Sequence, residues 1–446
     1  MKRYDLAVVG TGTAAMVAAM RVRAAGWTVA VIDHRPFGGT CALRGCDPKK
    51  MLVGGASALD YARRMRGKGI AGEVRIDWGA LMAFKRTFTD PVPAKHEATY
   101  AAKGIDTYHG RARFTASNAL VVDGTAIEAR YVLLASGAEP VALRIPGEEY
   151  VITSEQFLEL GALTRRLVLV GGGYIAAEFS HIAARAGAKV TILQRAARLL
   201  SAFDPDCVGW LVEAYTRWGI DVRTRTEVRA VEKQGAAFLV HARTEQQALA
   251  IEADLVVHAA GRAPALEPLD LDAGGVRAKN GRLVLNEYLQ SVSNPAVYAA
   301  GDAAQAGPPL TPVSSHDAKV AAANILRGNH ARPDYRAVPS VAFSIPPIAA
   351  VGLGEAAARE EGRQFRVKSG KASDWFTARQ AAEPVYGYKV LIDGSERILG
   401  AHLVGPHADE VINVFALAIR HGVSADDLRT TMFAYPTGAS DIGYML

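Results

Sequence analysis

Apolar positions fall into the same pattern twice along this chain. Leu6-Ala7-Val8-Val9 runs into Gly10-Thr11-Gly12-Thr13-Ala14-Ala15, and Leu167-Val168-Leu169-Val170 runs into Gly171-Gly172-Gly173-Tyr174-Ile175-Ala176. An unbroken, β-branched run marks a parallel strand buried on both faces, and the Ala-rich stretch behind each Gly-rich turn predicts a helix. Gly26-Trp27-Thr28-Val29-Ala30-Val31-Ile32-Asp33 and Gly187-Ala188-Lys189-Val190-Thr191-Ile192-Leu193-Gln194 then read as a Gly stop and a second strand. Two complete βαβ units predict an α/β fold with two Rossmann-like dinucleotide-binding domains. Residues 55–105 read as helices interrupted at Pro91 and Pro93, and 106–135 as short strands. From about residue 339 strands and amphipathic helices predict a separate α+β C-terminal domain. The expected boundaries are 1–142 and 264–338 for the first dinucleotide domain, 143–263 for the second and 339–446 for the C-terminal domain.

In the first fingerprint Gly10 allows the tight turn, Gly12 lets the backbone approach a pyrophosphate, and Ala15 lets the helix pack closely on the strand. Asp33, closing the second strand, can accept from ribose hydroxyls or simply cap the strand end. The second fingerprint is Gly171, Gly173 and Ala176, and its second strand ends in Gln194, followed by Arg195 and Arg198. An acid there would bind a 2′-hydroxyl and repel a 2′-phosphate; a neutral amide and two cations favour NADPH over NADH. Tyr174 lies just inside the second turn, and Glu178 one helical turn later is placed to pair with Lys49 or Lys50. A lysine near a flavin can stabilise negative charge on its reduced ring.

Cys41 and Cys46 stand five positions apart in Gly38-Gly39-Thr40-Cys41-Ala42-Leu43-Arg44-Gly45-Cys46-Asp47-Pro48-Lys49-Lys50. In an ideal helix their Cα atoms would be roughly 8–9 Å apart. A disulfide wants about 4.4–6.8 Å. Closing the pair therefore needs a distorted backbone, which Gly45 permits, with a regular helix expected only from Pro48. Both sulfurs near a helix N-terminus are expected to favour thiolate, and Asp47 to oppose this at Cys46. The pair reads as a redox centre rather than a staple.

The chain has 446 residues and a net charge of +6, with 50% hydrophobic and 22% charged residues. Its basic residues are dispersed, which argues against nucleic acid and suits phosphate-bearing cofactors. Three cysteines are too few for a secreted disulfide framework, and no apolar run is long enough for a membrane helix. With no signal-peptide pattern in Met1-Lys2-Arg3-Tyr4-Asp5, a cytoplasmic location is expected, with no membrane partner. Cys207 stands without a neighbouring cysteine and reads as inert, and the histidines show no metal-ligand spacing.

Gly39-Thr40-Cys41…Gly45-Cys46-Asp47-Pro48, Ala260-Gly261-Arg262, Gly301-Asp302 and Phe343-Ser344-Ile345-Pro346-Pro347 together resemble the class I pyridine nucleotide-disulfide oxidoreductases, over essentially the whole chain. Glutathione reductase, dihydrolipoamide dehydrogenase and mercuric reductase are of this family. The resemblance implies FAD, a nicotinamide donor, a C-terminal dimerisation domain and a homodimer. It implies that Cys41 attacks the acceptor, that Cys46 contacts the flavin, and that Tyr174 is an aromatic lid on the nicotinamide side. Thr40, Lys50, Ser136, Gly137, Gly261, Gly301 and Asp302 would help to hold the cofactors.

The departures bear on the acceptor. Disulfide-reducing members end in His-Pro-Thr-x-x-Glu, whereas this chain has Tyr435-Pro436-Thr437-Gly438-Ala439-Ser440, then Asp441. A phenol with its ordinary pKa near ~10 is a poor base at neutral pH, although it can donate a proton. Mercuric reductases also carry a tyrosine here but add a vicinal cysteine pair, which Gly443-Tyr444-Met445-Leu446 lacks. Met20 stands where glutathione reductases carry a substrate-binding arginine. The expected activity is NADPH-dependent reduction of a small disulfide or thiol-bound acceptor. The alternatives are reduction of a metal ion or quinone, or a vestigial flavoprotein that binds a partner.

Overall fold

Side chains alternate across the first strand, Lys2–Val9, so Leu6 and Val8 serve one hydrophobic core and Ala7 and Val9 another. The structure, a computed structural model, describes residues 2–446 and divides into two units. The first unit comprises the chain to Lys49, Phe84–Val141 and Arg262–Tyr335. Its parallel strands lie in the order Asp106–His109, Val29–Asp33, Lys2–Val9, Thr125–Leu134 and Val297–Ala299. Thr125–Leu134 uses its first half to pair antiparallel with Ala119–Val122, which carries Ala112–Ala116 at the edge. The helices Thr13–Ala24 and Thr311–Arg327 cover one face through alanines, whose small side chains let them sit close to the sheet. The segments just beyond Gly137 and Gly261, Ala138–Pro140 and Arg262–Pro264, pair as a two-stranded ribbon.

The second unit comprises Lys50–Ala83, Ala142–Gly261 and Arg336–Leu446. It repeats the parallel arrangement with Asp221–Arg223, Lys189–Leu193, Arg166–Val170 and Leu255–His258 in that order. A three-stranded antiparallel sheet, Glu227–Gln234, Ala237–Arg243 and Ala248–Ala253, packs a further core beside it. The C-terminal part is a five-stranded antiparallel sheet covered by the helix Ala408–His421. Buried Lys389 on that sheet reaches Asp204 at 3.0 Å and Asp206 at 2.6 Å, at the start of the helix Pro205–Arg217. No helix among the described residues is long and apolar enough to cross a membrane.

Two local expectations are corrected. The helix Cys46–Arg64 is regular from Cys46, two residues before Pro48, because proline in a first turn removes only an amide that has no intrahelical acceptor. Residues 65–77 are not helical: Gly67, Gly69 and Gly72 all adopt positive φ and break the helix before Trp78–Thr89 begins. Pro91 caps the next helix, Val92–Ala102.

A buried ion cluster ties three segments of the second unit together. Asp60 accepts from Arg185 at 2.6 and 3.0 Å and from Arg64 at 2.7 Å, and Arg185 lies 4.2 Å over the Trp218 ring. Glu383 stands 3.6 Å from Arg64, and burial pushes its carboxyl up to about 7. Asp60→Ala would leave Arg185 buried without its carboxylate and should cost roughly 3–5 kcal/mol. The denaturant midpoint should fall accordingly, and it should fall in Asp60→Asn as well, which keeps the shape but removes the charge that Arg185 and Arg64 need; an unchanged midpoint in Asp60→Ala would show that the cluster is not structural.

Candidate active site

The redox loop approaches the first fingerprint backbone to backbone, and the Gly38 amide donates to the Thr11 hydroxyl at 3.3 Å. Gly39 has φ +69, and a Cβ there would lie 2.3 Å from the Gly12 Cα. Gly10, with φ +113, similarly leaves room for the Ala135 carbonyl, which a Cβ would meet at 2.2 Å. Gly12 and Gly173 begin their helices without a side-chain cap, so the first backbone amides of both helices remain available to phosphate.

The short helix Gly39–Arg44 carries Cys41 and ends at Gly45, whose φ −151 and ψ −104 lie outside the main regions open to L-residues. This break turns Cys46 back toward Cys41. Both are thiols here, and Thr311 Oγ1 lies 3.2 Å from the Cys41 sulfur and 3.4 Å from the Cys46 sulfur. The Cys41 thiol acts as a hydrogen-bond donor toward the Cys46 sulfur. A hydrogen bond from Cys41, with help from Thr311 and the Lys49 charge, brings the Cys46 pKa down to about 6. That same bond, together with burial, pushes the Cys41 thiol up. Acidification of both thiols is therefore corrected to acidification of Cys46 alone. Asp47 opposes it weakly, as expected, and stands 4.0 Å from the Cys41 sulfur.

The first unit also presents polar groups with no hydrogen bond among the described residues, although the Arg262 charge reaches Asp302. The Ser136 hydroxyl is buried and unbonded, and Asp302, raised by burial, has no hydrogen bond among the described residues. Asp33 accepts from Thr11 at 2.7 Å and from the Arg35 amide at 3.0 Å, so it caps its strand end and still keeps acceptor capacity. An unbonded hydroxyl and acid beside glycine turns fit the hydroxyls and phosphates of FAD, with Thr40 in the helix Gly39–Arg44 and Gly137 in the turn after Ser136.

In the second unit Tyr174 is half-buried, its ring edge-on to Phe203 at 5.5 Å. Glu178, four residues on, accepts the Phe343 amide at 2.9 Å. Lys50 lies 3.8 Å over the Phe343 ring and 3.6 Å from Asp409. Lys49 is the lysine whose charge reaches Cys46. At the far strand ends Gln194 donates to the Arg198 carbonyl at 3.3 Å, and Arg198 donates to the Ser201 carbonyl at 2.7 Å. Gly261 turns the chain with φ +112.

Tyr435 precedes a cis peptide bond, is 76% exposed, and has the Phe376 ring 6.2 Å away. Ser440 is spent in a capping box with Thr437, and buried Asp441 accepts from Tyr386 at 2.9 Å. Neither takes the orienting place of the family glutamate. Sequence reasoning missed Thr311: Thr311-Pro312 reads as a helix start, and nothing local shows that its hydroxyl meets sulfurs far away in the chain.

The hydrogen bond between the sulfurs has a measurable consequence. Reduced protein should titrate one thiolate, by ultraviolet absorbance, with a midpoint near the Cys46 value of about 6. Above that pH the thiolate is present; below it, it is lost. Cys41→Ala, which removes the donor, and Thr311→Val should both move the midpoint upward, and an unmoved midpoint in Cys41→Ala would disprove the hydrogen bond between the sulfurs.

The chain matches the pyridine nucleotide-disulphide oxidoreductase model over residues 4–318 and the dimerisation domain of the same family over 338–445. It is 32% identical to a mercuric reductase of Staphylococcus aureus over 445 residues, 98% of this chain and 81% of the relative. It is also 32% identical to a glutathione reductase of Burkholderia cepacia, covering 98% of this chain and 97% of the relative. Among solved structures, the Cu(II) complex of the HOCl-induced flavoprotein disulfide reductase RclA from Escherichia coli superposes with a TM-score of 0.89 at 27% identity, covering 100% of this chain and 99% of that one. By both its motifs and these matches, the chain belongs to the pyridine nucleotide-disulphide oxidoreductase family, and it is an oxidoreductase.

Proposed function

We propose that this protein is an NADPH-dependent FAD reductase whose Cys41–Cys46 pair serves a thiophilic metal ion as acceptor. The observation that carries this choice is the state of the C-terminal loop. Exchange with a disulfide requires a proton for the departing thiolate. Here Tyr435 stands where relatives place an imidazole, and Ser440 and Asp441 are committed to other partners. A metal ion bound by sulfur makes no such demand. Thiolates select soft metal ions, and Cys46 is already disposed to be one. Cys41 releases its proton as it ligates.

FAD, when bound, relays the electrons of a nicotinamide hydride to the cysteine pair. The chain's own residues do the rest. Amides at Gly12 and Gly173 receive pyrophosphates, Asp33 and Asp302 accept from hydroxyls, Tyr174 shields the nicotinamide side, and Lys49 and Thr311 hold charge on Cys46. Arg195 and Arg198, with no acid at Gln194, favour a 2′-phosphate. The matched dimerisation domain and the exposed Phe376, Leu417, Met432, Tyr435 and Tyr444 support a homodimer. Mercuric reductases among the relatives, and Cu(II) bound by RclA, agree with a metal acceptor. A small disulfide remains the second reading, favoured by the near-complete coverage of the glutathione reductase, 97%.

NADPH oxidation by the FAD-loaded enzyme should be stimulated by thiol-complexed Hg(II) or by Cu(II) more than by glutathione disulfide, and Cys41→Ser should abolish it. Tyr435→Phe should change the metal reaction by less than about threefold, whereas loss of a general acid costs about 10²–10⁴-fold. Faster turnover with a disulfide than with any metal, together with collapse in Tyr435→Phe, would replace the first reading by the second.

A further inference from the structure

Arg195 and Arg198 are the cations that the second fingerprint supplies in sequence, but the fold brings another to the same place. Strand Asp221–Arg223 lies parallel to Lys189–Leu193, with Asp221 opposite Thr191 and Arg223 opposite Leu193. Beyond the strand ends the pairing continues as single backbone bonds. The Gln194 amide donates to the Arg223 carbonyl at 2.8 Å, the Thr226 amide to the Gln194 carbonyl at 2.9 Å, and the Arg225 amide to the Ala196 carbonyl at 3.0 Å. Arg225 is thereby laced onto the loop that carries Arg195, at the carboxyl ends of parallel strands, where open α/β sheets bind their ligands.

The charges there are unbalanced. Arg223 is neutralised by Asp221 at 2.8 Å, whereas Arg198 keeps its charge, one of its donors being used by the neutral Ser201 carbonyl. Arg195 and Arg225 are exposed, and neither guanidinium has an ion pair or hydrogen bond among the described residues. Two exposed cations are thus carried on loops whose backbones bond to each other, an arrangement whose positive field suits an anion. Arg225 also holds φ +47, a left-handed conformation in which glycine would be easier. A non-glycine residue kept at a strained position points to a use for its side chain.

We propose that Arg225 is a specificity residue that binds the 2′-phosphate of NADPH together with Arg195. This rests on the NADPH reading above. Nothing near Arg225 in sequence marks it, since it lies past the end of the third strand of the unit.

The test is calorimetric titration of the FAD-loaded enzyme with adenosine 2′,5′-bisphosphate and with adenosine 5′-monophosphate. The parent should bind the bisphosphate much more tightly. Arg225→Ala should weaken it about tenfold or more, the scale of one hydrogen bond to a charged group, and leave the monophosphate within about twofold. Arg225→Gly, which relaxes the backbone and removes the cation, should behave like Arg225→Ala. Arg225→Lys should recover part of the affinity. If the parent binds both ligands equally, the NADPH reading itself fails and the inference with it. If the parent discriminates and either Arg225→Ala or Arg225→Gly discriminates equally well, only the role of Arg225 is overturned.

Discussion

The contact between Gly12 and Gly39 sets the terms for the catalytic half of this protein. At Gly39 even one added carbon would overlap the fingerprint backbone, at 2.3 Å from the Gly12 Cα. The redox loop therefore leaves the dinucleotide turn in one direction only, and Cys41 follows two residues later. The break at Gly45 then returns Cys46 to Cys41, and Thr311, first residue of a helix that packs on the same core, closes the group. Two glycines that carry no chemistry thus decide where the chemistry sits.

Within that group one proton governs both sulfurs. Its location on Cys41 is what leaves Cys46 ionised near neutrality, and the Lys49 charge and the Thr311 hydroxyl reinforce the asymmetry. The two cysteines are chemically unequal before any partner arrives. A helix terminus acting alone would have acidified both; the hydrogen bond between them is stronger and assigns them opposite directions.

The second unit is stabilised differently. Its charges are grouped in sets: Asp60 with Arg185 and Arg64, and buried Lys389 with buried Asp204 and the exposed Asp206. Each set spans segments distant in sequence, so these ions fix which segments pack together more than they add to stability, since desolvation offsets much of their attraction. Arg195 and Arg225, by contrast, stay exposed and without an ion pair among the described residues.

Sequence by itself determined the two βαβ units, the Gly-rich turns that open their helices, and the replacement by Tyr435 of the family imidazole; it also singled out Cys41 and Cys46. Each of these rests on local rules: apolar periodicity, glycine at close approaches, and the chemistry of single side chains. It misplaced the start of the redox helix and carried helix through residues 65–77, because it underweighted what Pro48 tolerates and what Gly67, Gly69 and Gly72 break. Tertiary structure alone decided that Thr311 bridges the sulfurs, that Lys49 rather than its neighbour acts on Cys46, that Asp441 turns to Tyr386, and that Arg225 joins Arg195. Three of these depend on residues far apart in the chain meeting at strand and helix ends, whereas Lys49 reaches Cys46 within one helix; hydrogen bonds and Coulomb forces act over ångströms of space, whatever the separation along the sequence.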